Sequence, residues 1–220
     1  MSCRIAVIGA GRMGKLHARV LAEMPDVELA GVVDTNSAAA RSLARQRDCP
    51  VLADLGEAVD AAVIAVPTVA HLDVARPFVA AGKCVLIEKP LTNDPAAAEA
   101  LLAEAERTGA AVQVGQTERF NPVAVAMRRY AIEPKFIEAH RISPFTFRSA
   151  DVGVVLDVMI HDIDLVRMLA AAEVRDLQAV GVNVIGAHED ICNARLTFTN
   201  GCVANITASR LAIKTERKMR

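Results

Sequence analysis

Short apolar runs alternate with amphipathic segments along the first half of the chain. The runs predict strands at 5–8, 27–33, 61–66, 84–87 and 111–114, and the segments between them predict helices at 12–23, 37–47, 70–81 and 95–108. Asp94 and Gly109 are expected to cap the last of these helices. Strands that are apolar throughout and alternate with helices form a parallel sheet covered on both faces. We therefore expect an α/β domain over residues 1–118.

The pattern changes after Gly115. Helices are predicted at 122–130 and 154–171, and strands are predicted at 135–142 and along the alternating runs 180–184 and 192–198. Asn200-Gly201 follows the last run, and this pair is typical of a type I′ hairpin turn. We expect an α+β domain over residues 119–220 with an open, mostly antiparallel sheet and helices on one face. Residues 211–220 carry no turn or cap, so we expect this sheet to be incomplete at the C-terminus.

The composition is that of a globular protein with two modest domains. Of 220 residues, 53% are hydrophobic and 23% are charged, and the formal net charge is -1. The sequence has no basic stripe of the kind that a nucleic-acid partner would require. No apolar run approaches the roughly 18–20 residues that cross a membrane. Strand-like sequence from Arg4 leaves no room for a signal peptide, and the odd number of cysteines includes no CxxC pair. We expect a cytoplasmic protein with reduced thiols, although Cys192 and Cys202 lie on neighbouring predicted strands and could meet.

A glycine-rich loop, Gly9-Ala10-Gly11-Arg12-Met13-Gly14, joins the first predicted strand to the first predicted helix. In such a G-x-G-x-x-G loop the first glycine permits a tight turn and the second lets a pyrophosphate approach the backbone. The third lets the helix pack close to the strand. Free N–H groups at the start of the helix then attract the phosphates. This order of strand, loop and helix predicts a Rossmann domain that binds a dinucleotide.

Asp34 ends the second predicted strand, about 20 residues after Gly14, where a carboxylate accepts hydrogen bonds from the adenosine ribose. A carboxylate at this place also repels the 2′-phosphate of NADP, and residues 35–37 supply no neighbouring cation. We therefore expect NAD rather than NADP. Arg12 and Arg41 are the cations that could still reach a 2′-phosphate.

A polar stripe interrupts the apolar helix predicted at 154–171. Asp157, His161 and Asp164 are spaced i, i+4, i+7 and so share one helix face. Because burying such groups unpaired costs about 1–3 kcal/mol each, the stripe must face partners or a cavity. Histidine titrates near neutral pH, so His161 suits a general base. A core histidine bonded to either aspartate and a metal site are the alternatives, although zinc would need a further ligand.

Taken together, these features resemble the Gfo/Idh/MocA family of oxidoreductases, named for glucose-fructose oxidoreductase, inositol dehydrogenase and a rhizopine catabolism protein. The resemblance rests on the glycine-rich loop, on Val66-Pro67-Thr68 with His71, on Glu88-Lys89-Pro90, and on the polar stripe of Asp157, His161 and Asp164. It implies that Lys89, Asp157 and His161 are catalytic. It also implies that the chain passes under the nicotinamide at Pro67 and Thr68. Together with the Rossmann residues, the predicted cofactor-binding set is Gly9, Gly11, Arg12, Met13, Gly14, Asp34, Pro67, Thr68, His71 and Glu88. His71 could equally be a helix-end residue without a direct role.

Gly115-Gln116-Thr117-Glu118-Arg119-Phe120-Asn121-Pro122 is similar to branches of this family that act on the 3-hydroxyl of UDP-N-acetylglucosamine. The similarity implies that Glu118, Arg119 and Asn121 make polar contacts to the sugar or its phosphates, and we add Asp164 to this substrate-binding set. Family members usually continue with further strands, and this chain stops at Arg220.

The expected function is hydride transfer between NAD and a secondary alcohol of a sugar, nucleotide sugar or cyclitol, with no metal, nucleic acid or membrane involved. An open sheet that leaves one face uncovered also implies a homodimer or homotetramer through the C-terminal sheet. Two alternatives remain open. One is a non-catalytic NAD-binding sensor or regulatory subunit, and the other is a reductase similar to biliverdin reductase, which would not need His161 as an alcohol base.

Overall fold

A computed structural model describes residues 2–53, 59–130, 133–146 and 152–220. The chain divides into two compact units, Met1–Gly115 and Gln116–Arg220. The division falls at Gly115, where the hydrophobic pattern changes, and so three residues before the predicted end of the first domain at residue 118.

The first unit is a parallel five-stranded sheet with the order β2-β1-β3-β4-β5. Its strands are β1 Cys3–Ile8, β2 Val27–Val33, β3 Ala61–Ile64, β4 Cys84–Glu88 and β5 Val112–Gly115, and its helices are α1 Arg12–Glu23, α2 Ser37–Arg47, α3 His71–Ala80 and α4 Pro95–Thr108. Buried apolar residues form two clusters in this unit. The predicted α/β domain with a parallel sheet is confirmed.

Local capping explains the bounds of α4. The Asp94 side chain accepts from the backbone N–H groups of Ala96 and Ala97, and Gly109 ends α4 with φ 77°. Where the sequence predicted a helix from residue 70, the structure has a 3₁₀ turn at Thr68–Ala70 followed by α3.

The second unit is a mixed five-stranded sheet with the order β10-β6-β9-β8-β7. Its strands are β6 Phe136–Ile142, β7 Val174–Val182, β8 Ile191–Phe198, β9 Val203–Ser209 and β10 Glu216–Met219, and its helices are α5 Pro122–Arg129 and α6 Ile160–Ala170. All neighbouring strands are antiparallel except β6 and β9, which are parallel. The mostly antiparallel sheet is therefore confirmed. The described strand β7 begins and ends earlier than the predicted run at 180–184.

The helix predicted at 154–171 is not uniformly α-helical. Val155–Met159 forms a π turn, in which Ile160 N–H bonds to the Val155 carbonyl, and regular α-helix begins only at Ile160. Such π turns inside helices frequently occur at functional sites. Asp157 lies in the π turn, and His161 lies in the first turn of α6. The shared helix face was predicted from the i, i+4, i+7 spacing of a regular α-helix, and the segment from Asp157 to His161 does not have that regular geometry.

The hairpin between β8 and β9 is present, but the type I′ prediction was wrong. Gly201 N–H bonds to the Phe198 carbonyl around Thr199 and Asn200, and neither of these two residues has the positive φ that type I′ requires. Gly201, with φ 85°, supplies the left-handed residue that follows the turn instead. The Asn200 side chain donates to the Ala170 carbonyl and accepts from Cys202 N–H, which ties the hairpin to the end of α6.

The two cysteines expected on neighbouring strands do not meet. Cys192 lies opposite Ala208 in the β8–β9 register, whereas Cys202 lies in the hairpin connection before β9 begins. All five cysteines are free thiols. Among the described helices, none is long and apolar enough to cross a membrane.

Candidate active site

The glycine loop of the first unit has the geometry that its three glycines predict. A Cβ on Gly9, where φ is 102°, would clash with the Ala65 carbonyl oxygen, and a Cβ on Gly14 would clash with the Gly9 carbonyl oxygen. A Cβ on Gly11 would meet no described atom within 4 Å. Gly9 and Gly14 therefore serve close packing, while Gly11 leaves open space in front of the backbone, as an approaching pyrophosphate requires.

The N-terminus of α1 has the features of an anion-binding site. Gly11 is its N-cap, and no described side chain caps the helix there or places an acid in the first turn. N–H groups at a helix N-terminus left without a side-chain acceptor attract phosphate oxygens. Arg12 is exposed and Met13 is half-buried at the same turn. The residues present thus fit a dinucleotide.

Asp34 lies at the end of β2 and is already engaged by backbone N–H groups. One carboxylate oxygen accepts from Ala10 at 2.6 Å, and the other accepts from Asn36 at 2.7 Å. These bonds orient the carboxylate toward the glycine loop, and each oxygen retains a second lone pair for a ribose hydroxyl. The position and bonding of Asp34 support the predicted contact to the ribose, and that contact stays a prediction.

The loops after β1 and β3 lie side by side, because these two strands are neighbours in the sheet. Strand order reverses at this place, and ligands of open α/β sheets bind outside the carboxyl ends of the strands at such a reversal. Exposed Pro67 and half-buried Thr68 follow β3 there, at the start of the 3₁₀ turn. Both predicted nicotinamide-contacting residues are therefore at the sheet edge where the cofactor is expected.

His71 is buried, with 1% of its surface exposed. Its Nδ1 lies 2.8 Å from the Pro90 carbonyl oxygen, and its Nε2 lies 3.0 Å from the Val66 carbonyl oxygen. Both ring nitrogens are occupied by backbone, so any influence on the cofactor acts through the two segments that the ring contacts.

Glu88 ends β4 as a buried carboxylate, and one of its oxygens lies 2.6 Å from Nε2 of His17 on α1. A Cβ on Gly115 would come within 3.3 Å of the same carboxylate, so the glycine makes room for it. Lys89 follows directly and is half-buried. The pair of Glu88 and His17 thus holds the end of β4 that carries the predicted catalytic lysine.

In the second unit, the segment that precedes the π turn is clamped by residues before β8 and after β9. Glu189 accepts from Val155 N–H with its side chain, and its carboxylate occupies the place where a Cβ on Gly153 would lie. Arg210 donates to the Val152 carbonyl at 2.9 Å and to Asp190 at 2.7 Å. This clamp sets where Asp157 and His161, both half-buried, begin their helix.

Asp190 has no exposed surface and accepts from three groups at once. The backbone N–H groups of Ile185 and Val184 and the Arg210 guanidinium hold the pKa of Asp190 well below its usual range. The carboxylate therefore stays ionised and keeps the clamp closed at neutral pH.

Two aspartates that follow His161 in sequence are each held by an arginine. Arg119 bonds Asp164 through Nε and Nη2, both at 2.6 Å, and Arg141 bonds Asp162 at 2.9 and 2.8 Å. The second pair is buried on both sides, whereas Arg119 is exposed. Paired in this way, the aspartates orient α6 against β6 and the 3₁₀ turn Thr117–Phe120.

Glu118 accepts from Arg141 and from Arg217, each at 3.3 Å. Burial raises the pKa of Glu118, but the charges of Arg141, Arg217 and His161 outweigh it and hold the pKa below its ordinary value. Glu118 is therefore an anion at neutral pH in the electrostatic range of His161. A cavity of about 190 Å³ opens beside it within this unit. Its walls include Met127, Arg141, Leu165, Leu169 and Met219.

The sequence analysis missed several charged residues that form pairs within one unit or the other. Arg141 carried a usable signal, because it shares the buried face of β6 with Ile137 and Ala139. Arg217 bonds Glu118 although its side chain is 62% exposed, and nothing in its local sequence marks it. His17, Asp190 and Arg210 carried no local signal, since their partners are distant in sequence. Among the described residues, no three His, Cys, Asp or Glu side chains are grouped as a metal site.

Comparison with known proteins agrees with the fold and the motifs. The family model for the NAD-binding Rossmann fold of Gfo/Idh/MocA oxidoreductases matches residues 3–116, and the model for the C-terminal domain of that family matches residues 119–220. UDP-N-acetylglucosamine 3-dehydrogenase of Acidithiobacillus ferrooxidans is 38% identical over 99% of this chain and 70% of its own length. A solved structure of that enzyme superposes with a TM-score of 0.93 over 100% of this chain and 71% of that one.

A second relative, inositol 2-dehydrogenase of Rhizobium meliloti strain 1021, is 33% identical over 79% of this chain and 56% of its own length. The matched family models together span nearly all of the sequence, and both relatives are dehydrogenases by name. This chain is therefore an oxidoreductase that belongs to the Gfo/Idh/MocA family.

Proposed function

We propose that this protein is an NAD-dependent dehydrogenase of a nucleotide sugar, and that it acts on the 3-hydroxyl of UDP-N-acetylglucosamine. The observation that carries the proposal is the 38% identity over 99% of the chain to a dehydrogenase of that substrate. The segment Gln116–Asn121 adds support, because its Glu118 and Asn121 line the cavity of the second unit. An inositol is the alternative substrate that the other relative suggests.

The cofactor is held by the glycine loop and by Asp34. N–H groups at the start of α1 bind the pyrophosphate, Gly11 gives it room, and Asp34 accepts from the ribose hydroxyls. The fixed carboxylate disfavours a 2′-phosphate, which supports NAD over NADP. When bound, NAD supplies the hydride acceptor.

Three side chains carry the proton chemistry in this proposal. His161 takes the hydroxyl proton as general base, and Asp157 orients or polarises it. Lys89 donates to the substrate oxygen and stabilises the negative charge that develops there as the proton leaves. Glu118, held ionised by Arg141 and Arg217, favours the protonated form of His161 that this transfer produces.

The substrate contacts follow from the bonds already made. Arg119 uses Nε–H and one hydrogen of Nη2 to bond Asp164, so both Nη1 hydrogens and the second Nη2 hydrogen can be donated to a sugar or a phosphate oxygen. Asn121 caps α5 through its Oδ1, and its Nδ2 lies 3.4 Å from Glu118. Asp164 then acts mainly by holding Arg119 in place, and Glu118 offers its carboxylate to sugar hydroxyls.

We further propose a homodimer or homotetramer formed through the C-terminal sheet. The sheet face that points away from α6 carries exposed polar pairs such as Asn193 with Thr207 and Arg195 with Asn205. On β7, Val180 lies opposite Asn193 on this face and is 62% exposed. The five free cysteines support a reducing compartment, and we place the protein in the cytoplasm.

The test is NADH formation, followed by absorbance, with a panel of UDP-sugars, free sugars and inositols. Turnover of UDP-N-acetylglucosamine, with a product oxidised at C3, supports the proposal. Turnover of an inositol alone would transfer the assignment to that substrate class. Tight NAD binding without turnover of any compound would contradict an enzymatic role and favour a sensor.

A further inference from the structure

His71 makes two contacts that together restrict the chemistry of its ring. Nδ1 lies 2.8 Å from the Pro90 carbonyl oxygen, and Nε2 lies 3.0 Å from the Val66 carbonyl oxygen. Carbonyl oxygens only accept hydrogen bonds, so each contact is a hydrogen bond only if the facing nitrogen carries a hydrogen. The ring is 1% exposed, so water does not replace either contact.

The two carbonyls belong to the segments that matter most in this unit. Val66 directly precedes Pro67 and Thr68, which we assign to the nicotinamide contact. Pro90 directly follows Lys89, which we assign to the substrate oxygen. One buried ring therefore joins the segment after β3 to the segment after β4. Because both nitrogens are used, the ring offers no polar atom to a ligand.

We propose that His71 is a positioning residue for hydride transfer, and that its buried ring, through the contacts of its two nitrogens, braces Val66–Thr68 against Lys89-Pro90. This proposal rests on the proposed dehydrogenase function for its kinetic consequences. It replaces direct cofactor binding as the role of His71. Small displacements of reacting groups cost much in rate, and a shift of about 1 Å can cost about 100-fold.

The kinetic test compares His71→Phe and His71→Gln with the unchanged protein at saturating NAD. Phenylalanine fills the site but donates nothing, and we expect kcat to fall by about 100-fold. We expect the NAD dissociation constant to rise by about tenfold at most, since the phosphate and ribose contacts are untouched. Glutamine can donate to one of the carbonyls and should restore part of kcat. Equal losses of kcat and of NAD affinity, or no rescue by glutamine, would overturn the positioning role.

A purely structural role is separated by three further readouts. Active sites are counted by NAD binding, so misfolded protein does not enter kcat. The kinetic isotope effect with substrate deuterated at the reacting carbon should increase in His71→Phe, because the hydride step becomes slower than product release. His188→Phe, at an exposed position of the second unit, is the matched control and should change none of these values.

The brace itself is tested without any turnover. Amide hydrogen exchange in the segments 66–71 and 88–91 should be faster in His71→Phe than in the unchanged protein, and His71→Gln should restore part of the protection. Unchanged exchange in both segments would overturn the inference even if the dehydrogenase activity is established. Conversely, faster exchange in a protein that oxidises no sugar would uphold the brace and refute the proposed function instead.

Discussion

Arg141 holds Asp162, the residue after His161 in the sequence, through two hydrogen bonds of 2.9 and 2.8 Å, and both side chains are buried in the second unit. Breaking such a pair leaves one charge buried without its partner, whereas removing both charges together avoids that cost. The pair is therefore expected to be more important for the position of α6 than for net stability.

Arg141→Met should lower the free energy of unfolding by about 3–5 kcal/mol, measured by urea denaturation. In the double variant Arg141→Met with Asp162→Leu, most of this loss should be recovered. A double variant as unstable as the two single losses added together would show that the ion pair itself is strongly stabilising.

Gly11→Ala and Gly14→Ala should fail in different ways. A methyl group at Gly11 points into open space, so the melting temperature should be unchanged while NAD binding weakens by about tenfold or more. A methyl group at Gly14 meets the Gly9 carbonyl oxygen, so Gly14→Ala should fold poorly. Differential scanning fluorimetry with and without NAD distinguishes the two outcomes. Unweakened NAD binding by folded Gly11→Ala would place the pyrophosphate elsewhere.

Asp34→Ala should reduce the preference for NAD over NADP. The variant loses a charge-assisted bond to the ribose, worth about 1.5–3 kcal/mol, and it also loses the repulsion of a 2′-phosphate. We expect NAD affinity to fall by about tenfold to 100-fold while NADP affinity rises or holds, as measured by calorimetry. Asp26→Ala, an exposed change in the same unit, is the matched control. Parallel losses for both cofactors would contradict the role of the carboxylate in cofactor choice.

His161→Asn and Lys89→Met should each lower kcat while leaving NAD affinity nearly unchanged. Loss of a positioned general base typically costs about 10²–10⁴-fold in rate. The His161→Asn variant should also lose the acidic limb of the pH profile of kcat/KM, because a neutral asparagine does not titrate. Full activity in His161→Asn would favour reduction of an imine or a double bond, which needs no alcohol base.

Asp190→Asn should change how stability depends on pH. The folded-state pKa of Asp190 lies well below the ordinary value of 3.8, so its ionisation stabilises the fold fully above that pH and progressively less as the pH falls below it. The variant should therefore unfold more easily at neutral pH, and its stability should fall less steeply on acidification below about pH 4. Urea midpoints at neutral and acidic pH provide the measurement. A variant whose midpoints stay parallel to those of the unchanged protein would contradict this account.

Local features of the structure were accessible from the sequence because they depend on residues close together in the chain. The bounds of α1, β2 and α2 coincide with those predicted from apolar runs and flanking residues. The glycine loop, the Asp94 cap and the parallel direction of the strands in the first sheet were predicted in the same way. The family resemblance rests on contiguous motifs of this kind, and it therefore also came from the sequence alone.

Only the tertiary structure decided which charges pair and what the polar side chains do. Glu88 bonds His17 from 71 residues away, Arg141 selects Asp162, and His71 joins two loops rather than facing a ligand. The π turn and the type of the β8–β9 turn were likewise missed. An ion pair depends on the separation of groups that strand order and register bring together, and neither is encoded in the pattern of any single segment. For this reason the sequence alone determined the chemistry that this protein carries, and the fold decided how that chemistry is held in place.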